Sequence, residues 1–244
     1  MINCIYLFLR HFGAEIIKVE PPNTGDPLRG WRELDVDGTS PWFRSLARNK
    51  KSVSIDLRKE EGRAYVLFSP SRSIRGYKNK NTSNRLVRRL AERSHVVIEN
   101  FKPGSTCNPR LFPLCNATAL FLTVTYTALE KWNLGPNELR ATNPGLIFTR
   151  ISGYGQTGPW SSRPGYASVC ESEAGFRFIN GFPDERTGEL SGPPVRPNIS
   201  LGDSVAGLTA AFGTVLALLA RRAKEDYGNT ENGSTTVDVS IMER

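Results

Sequence analysis

Apolar and charged positions alternate in two short stretches near the start of the chain. Residues Glu15–Glu20 read Glu-Ile-Ile-Lys-Val-Glu and stop at Pro21-Pro22, and Ser52–Leu57 read Ser-Val-Ser-Ile-Asp-Leu. A period of two bounded by turn residues predicts strands. From Arg85 to Ser94, apolar residues fall at Leu86, Val87, Leu90 and Ala91, the spacing of an amphipathic helix. A short apolar strand is predicted directly after it, over His95–Phe101. A short helix is predicted over Asn137–Ala141, and further strands over Leu146–Ile151 and Thr235–Ile241. Gly153, Gly155, Gly158 and Gly165 mark a long loop between them. Val205–Arg222 (VAGLTAAFGTVLALLARR) is apolar almost all round, which predicts a buried helix. Strands that alternate with helices predict an α/β protein with a parallel sheet.

Two segments break this rhythm. Residues 64–84 have no clear period, and residues 105–127 are rich in Cys, Thr and Phe without cap or turn chemistry. Long structureless inserts are unusual in a compact domain, so both are expected to be foreign to it, in the manner of translated introns.

Composition narrows the classes. Hydrophobic residues make up 39% and charged residues 23% of the 244 positions, which is ordinary for a globular protein. Four Cys in a chain of this length exclude a disulfide scaffold. Cys107 and Cys115 are eight apart while Cys4 and Cys170 stand alone, so no zinc spacing is present and no metal is expected. With His11 and His95 as the only histidines, a histidine-based triad is disfavoured. No uninterrupted run of about 18 apolar residues occurs, so no membrane span is expected. Met1–Arg10 lacks the basic lead and small-residue cleavage site of a signal peptide. An intracellular location is expected, mitochondrial or cytoplasmic.

The net charge of +8 is concentrated in one place. Arg44–Arg93 carries fifteen Lys or Arg against four acids, and the remainder is slightly acidic. A nucleic-acid-binding protein usually spreads basic and aromatic residues along a face or repeat. A single basic segment points to a local phosphate site, with a solvated basic face as the plain alternative. No nucleic-acid partner is expected.

Six blocks carry a resemblance. They are Gly13–Glu20, Gly25–Trp31, Arg48–Ser52 with Asp56-Leu57, Val96–Gly104, Ile151–Pro159 and Ser200–Ser204. In this order the chain resembles the class III CoA-transferase family of formyl-CoA and carnitinyl-CoA transferases. Within it, the flavour is nearest the succinyl-CoA:glutarate type. The resemblance covers most of 13–63, 85–104 and 129–244. It implies a parallel, Rossmann-like large domain, incomplete here, with 64–84 and 105–127 as doubtful inserts and Met1–Phe12 unlike the family's usual opening.

The resemblance also implies a chemistry. Asp203, in Leu-Gly-Asp-Ser, matches the family's nucleophile, which attacks an acyl-CoA thioester and forms a mixed anhydride. Coenzyme A is then the cosubstrate, and acyl-CoA and a carboxylic or dicarboxylic acid are the partners. The family assembles as an interlocked homodimer. Ile55, Leu57 and Arg58 match the strip along the adenine and 3′-phosphate, and Asn100 and Phe101 match positions near the nucleotide. Lys18, Asn49 and Lys50 are further candidates, and Tyr166 matches a position near the thioester. From the residues alone, Asp203 ahead of the Val205 helix reads as an N-cap, with Ser204 as the other choice.

Two alternatives stand beside the transferase. One is an inactive remnant or CoA-binding protein, because family members run to roughly 400 residues and a shorter chain is expected to show weak or no turnover. The other is an α-methylacyl-CoA racemase-like enzyme. That group carries Gly-His-Asp where this chain has Gly165-Tyr166-Ala167, and the missing His removes its base.

Overall fold

The computed structural model describes residues 2–55, 57, 85–103, 128–197, 199–227 and 234–243. Both aperiodic segments, 64–84 and 105–127, lie outside the described residues, as do Asp56 and Arg58.

Two parallel sheets form among the described residues. β1 (Ile16–Glu20) pairs with β2 (Lys50–Ser54), Ile16 opposite Lys50 and Glu20 opposite Ser54. β3 (Val96–Glu99), β4 (Ile147–Ser152) and β7 (Thr236–Ser240) form the other, in the order β3-β4-β7. Val96 lies opposite Ile147, and Ser152 opposite Ser240. Central β4 is buried at every position, as a parallel strand covered on both faces must be. A small antiparallel hairpin, β5 (Phe182–Pro183) with β6 (Leu190–Ser191), stands apart.

Seven α-helices accompany these strands among the described residues. They are α1 (Ile2–His11), α2 (Pro41–Ala47), α3 (Arg85–Glu92), α4 (Ala128–Lys131), α5 (Pro136–Arg140), α6 (Ala167–Glu173) and α7 (Leu201–Asp226). The core has two parts. Ile151, Val239 and Ile241 pack with Ala206, Ala210 and Ala211 of α7, Cys170 of α6 and Ile5 of α1. Phe148, Leu146, Leu139, Leu134, Leu129 and Ala91 form the second part.

The α/β expectation and its parallel strands hold. Each strand predicted over 15–20, 52–57, 95–101, 146–151 and 235–241 is present within a few residues. The long helix departs from its prediction in two ways. It begins at Leu201 rather than Val205, and it is buried on one face only. The buried stripe is small: Gly202, Ala206, Gly207, Ala210, Ala211, Thr214 and Ala217. These residues let the helix lie close to the sheet, so the bulky Leu208, Phe212, Val215, Leu216 and Leu219 fall on the other side and are exposed. A Cβ on Gly213 would come within 2.9 Å of Val237 Cγ1, a measure of how close the two backbones approach. The hydroxyls of Thr149 and Thr214 meet at 2.7 Å, and Thr214 Oγ1 also reaches the Ala210 carbonyl at 2.6 Å. This buried, satisfied pair fixes the register of α7 against β4. By length and composition α7 would also pass for a membrane-crossing helix.

The turn after β1 is held by charge. Glu20 accepts the Asp26 N–H at 2.8 Å, the Arg29 guanidinium at 2.8 Å and the Ser52 hydroxyl. Lys18 is buried, pairs with Asp26 and lies over the Phe43 ring. Gly25 sits at φ +61, where a Cβ would meet Arg29 Nε at 2.6 Å, so only glycine passes without strain. Burial pushes the Glu20 carboxyl upward, but the bonds from Arg29, Ser52 and the Asp26 N–H outweigh it and hold the group at about 2.

A group depressed in the folded state contributes stability above its unfolded value and loses it as pH falls through the folded one. Wild-type stability therefore declines from pH 4.5 toward about 2 through Glu20. Glu20→Gln is expected to cost about 1–3 kcal/mol at neutral pH and to flatten that decline, measured by urea denaturation across the pH range.

Candidate active site

All strands of the β3-β4-β7 sheet run the same way, so their carboxyl ends share one edge. In open parallel α/β sheets, ligands bind outside that edge. Two groups of side chains gather there.

The first surrounds Asp203. β4 ends at Ser152 and passes into Gly153, whose backbone lies against Gly165. A Cβ on Gly153 would stand 2.4 Å from the Gly165 Cα, so the chain crosses itself with no room for a side chain. The crossing places α6 immediately beyond β4. The Gly153 carbonyl gathers the Cys170 thiol, the Ser240 hydroxyl and the Met242 N–H. Tyr166 is the N-cap of α6 and is 74% exposed.

One turn further along, Glu171 is buried at 5% exposure. Its Oε1 accepts the Gly202 N–H in the first turn of α7 at 3.1 Å. A Cβ on Gly202 would sit 3.2 Å from Ile241 and 3.3 Å from Glu171 Oε1, which keeps this position small. Asp203 follows directly. It is not the N-cap expected from the sequence; Ser200 caps the helix and Asp203 stands in the first turn. The reason is that tertiary contact with Glu171 starts the helix before the residue that local preference would choose. Ser204 is likewise inside the helix, its N–H and hydroxyl both bonded to the Ser200 carbonyl. The first turn of α7 offers a positive helix end to a carboxylate at Asp203.

Cys170 is a second potential nucleophile at this edge. Burial, then the nearby acids Glu173, Asp203 and Glu171, push its thiol up to about 11. It therefore stays protonated at neutral pH and does not compete with a carboxylate. A hydrogen bond from its hydroxyl to Glu173, with burial adding to it, raises Tyr154 to about 12.

The second group surrounds Phe101. Asn100 and Phe101 follow β3 and are exposed. The Glu99 carboxylate accepts the Phe101 N–H at 2.7 Å and so sets the turn that carries both. Phe101 stands edge-on to Trp132, with centroids 5.7 Å apart. Trp132 and Leu57 pack on the same core cluster. Beneath them, Arg150 on β4 meets Glu99 at 2.9 Å and Glu130 of α4 at 2.5 Å, with all three side chains largely buried. One cation thus ties β3, β4 and α4 together. Burial raises Glu99 to about 7, against the opposing pull of Arg150.

The remaining sequence candidates lie elsewhere. Ile55 is buried at the end of β2, its N–H on the Glu20 carbonyl. Lys18 is engaged with Asp26, and Lys50 reaches the Leu46 carbonyl. Asn49 is an exposed turn residue at φ +59. Arg58 lies outside the described residues. Part of the basic segment is spent locally: Arg44 pairs with Asp35 and Asp37, and Lys51 with Glu15. Among the described residues, no group of three His, Cys, Asp or Glu is arranged to hold a metal.

Glu171, Glu99 and Arg150 escaped sequence reasoning. One signal was available for Glu171. Ala167, Cys170 and Glu171 fall at i, i+3 and i+4 of a helix, which places an acid on a core-facing stripe.

Parallel strands with helices packed against them, and an acid in a helix first turn at the carboxyl edge, define a mixed α/β domain with parallel sheets. The sequence model of CoA-transferase family III matches residues 5–67 and 116–244, and the chain belongs to that family. The match begins inside α1, in the stretch expected to be unlike the family. It passes over 68–115 and takes in 116–127.

Among the relatives is a succinyl-CoA--D-citramalate CoA-transferase of Chloroflexus aurantiacus, 41% identical over 96% of this chain and 44% of its own length. A succinyl-CoA--L-malate CoA-transferase alpha subunit of the same organism is 37% identical over 96% of this chain and 42% of its own. The human succinyl-CoA:glutarate CoA-transferase is 30% identical over 90% of this chain and 38% of its own. The crystal structure of a CaiB/BaiF family protein from Brucella suis aligns over 99% of this chain and 49% of that chain, with a TM-score of 0.68 and 28% identity. The chain therefore spans less than half the length of these relatives.

Removing one partner from a buried ion pair leaves the other uncompensated, at a cost of about 3–5 kcal/mol. Arg150→Met leaves Glu99 and Glu130 facing each other and is expected to lose that much at pH 8. The loss should shrink near pH 5, where Glu99, raised to about 7, takes up a proton. Chemical denaturation at the two pH values reads the difference.

Proposed function

We propose that this protein transfers coenzyme A from an acyl-CoA, such as succinyl-CoA, to a carboxylic or dicarboxylic acid, with Asp203 as the nucleophile. The observation that carries the reading is the setting of Asp203, in the first turn of α7 beside a Gly202 held by buried Glu171, at the carboxyl edge of the sheet. The match to CoA-transferase family III supports it, and the three transferases among the relatives above carry succinyl-CoA in their names.

The steps balance without a net proton. An Asp203 carboxylate oxygen attacks the thioester carbonyl, the C–S bond breaks, and CoA leaves as a thiolate. The product is a mixed anhydride between Asp203 and the donor acid. The thiolate then attacks the aspartyl carbonyl, releasing the donor carboxylate and leaving an aspartyl-CoA thioester. The acceptor carboxylate attacks that carbonyl and expels the thiolate again, which forms the second anhydride. Attack of the thiolate on the acceptor's carbonyl releases the new acyl-CoA and restores the Asp203 carboxylate. A carboxylate suits this sequence because it serves as nucleophile and, once acylated, as leaving group. In this reading the oxyanion is met by N–H groups of the first turn of α7 other than that of Gly202, which Glu171 already holds.

In the same reading, Asn100 and Phe101 take the nucleotide, with Leu57 and the neighbouring Ile55 and Arg58 along the adenine and 3′-phosphate, and Lys18 a further candidate. Exposed Tyr166, at the start of α6, borders the thioester. The enzyme works as a dimer; two of the relatives are named as alpha and beta subunits.

Incubation with succinyl-CoA followed by hydroxylamine or borohydride is expected to label Asp203, detected by peptide mass spectrometry. Asp203→Ala and Asp203→Asn should lower CoA exchange by on the order of a thousandfold or more. Normal exchange in Asp203→Ala would exclude the nucleophile. Tight, salt-tolerant CoA binding with no adduct would select a CoA-binding protein instead.

A further inference from the structure

Two arginines converge on the start of α7 without completing their bonds. Arg177, in the turns after α6, approaches Glu171 Oε2 at 3.9 Å, and Arg196, in the segment leading to α7, approaches it at 4.0 Å. Neither is at hydrogen-bond distance. Glu171 Oε2 has no hydrogen-bond partner although the side chain is only 4% exposed, and the Arg177 Nε is buried and unpartnered as well. Arg196 also reaches the hydroxyl of Ser200, the α7 N-cap, at 3.4 Å. Ser200 and Gly202 lead into Asp203 in the first turn of α7, so Arg196 reaches that turn through Ser200 and both guanidiniums lie beside the acid that holds its Gly202 N–H.

Both guanidiniums approach the same Glu171 oxygen without a hydrogen bond to it, and both keep a route to solvent, at 25% and 42% side-chain exposure. A guanidinium offers five N–H donors in a planar fork matched to a carboxylate. Here the fork atoms are held near an acid that uses its other oxygen for Gly202. The arrangement is a cationic cradle with donors to spare, orientated by a buried anion that stops short of satisfying it.

We propose that Arg177 and Arg196 bind the distal carboxylate of a dicarboxylic acid whose other carboxyl group reacts at Asp203. This rests on the transferase reading and deepens it, because it assigns the acceptor class to named residues. A monocarboxylic acid of the same carbon count reaches Asp203 equally well but leaves both guanidiniums without a partner. A site built around such charge-assisted bonds discriminates strongly against the analogue that lacks the group.

The experiment is titration calorimetry of the whole chain with succinate and with butyrate, which differ by one carboxylate. Succinate is expected to bind at least about tenfold more tightly than butyrate. Arg177→Gln with Arg196→Gln should bring the two acids to within about twofold of each other. Arg196→Gln alone, at the more exposed position, should lose part of the preference and guards against misfolding of the pair, with circular dichroism as the check. Arg186→Gln, in the exposed hairpin turn, should retain it. Equal affinity for the two acids, no detectable succinate binding, or a preference untouched in the double variant would each overturn the assignment. Trapping separates it from the reading beneath. An Asp203 adduct without a succinate preference keeps the transferase and removes the cradle. A succinate preference without an adduct keeps the cradle and removes the nucleophile.

Discussion

The contact between the Glu171 carboxylate and the Gly202 N–H organises this end of the molecule. A helix N-terminus has free N–H groups and a partial positive charge, and burying it requires an acceptor. Glu171 supplies one from α6, which is itself placed by the close crossing of Gly153 and Gly165. The helix is thereby started at Leu201, and Asp203 is presented from its first turn rather than from a loop. The same acid holds Arg177 and Arg196 near that turn. Without it, the small-residue stripe of α7 would still pack on the sheet, but nothing would define the position of the turn that carries the acid.

A second ion network does similar work along the rim. Arg150 bridges Glu99 and Glu130, and Glu99 in turn fixes the Phe101 N–H. The turn after β3 is thus set by buried Glu99, while beyond β4 buried Glu171 on α6 sets the first turn of α7. One turn presents Asn100 and Phe101, and the other presents Asp203. Under the proposed function, the nucleotide and the acyl group of one ligand would lie at these two places along the rim.

The strands were readable because their alternation and bounding prolines and glycines are local signals. β1, β3, β4 and β7 appear within a few residues of their predicted positions, and the family's blocks pointed to Asp203. The short helices α2, α4 and α6 were not readable. Each has seven residues or fewer, too few for a period to emerge. The burial of α7 was misjudged for a related reason. Its composition is apolar on all sides, so periodicity could not say which side would meet the sheet. Size decided it: the Ala and Gly stripe permits close approach, and Leu208, Phe212 and Leu216 do not.

The sequence by itself determined the class of fold, the parallel order implied by alternating elements, and the acid that resembles a family nucleophile. These depend on short-range patterns and on motifs that survive as strings. Tertiary structure alone decided that Glu171 anchors α7, that Arg150 joins three elements, and that Arg177 and Arg196 face the same turn. Glu171 and Gly202 lie 31 positions apart, too far for any local preference to encode their meeting. Their chemistry arises only when burial removes water and leaves each charge to its neighbours.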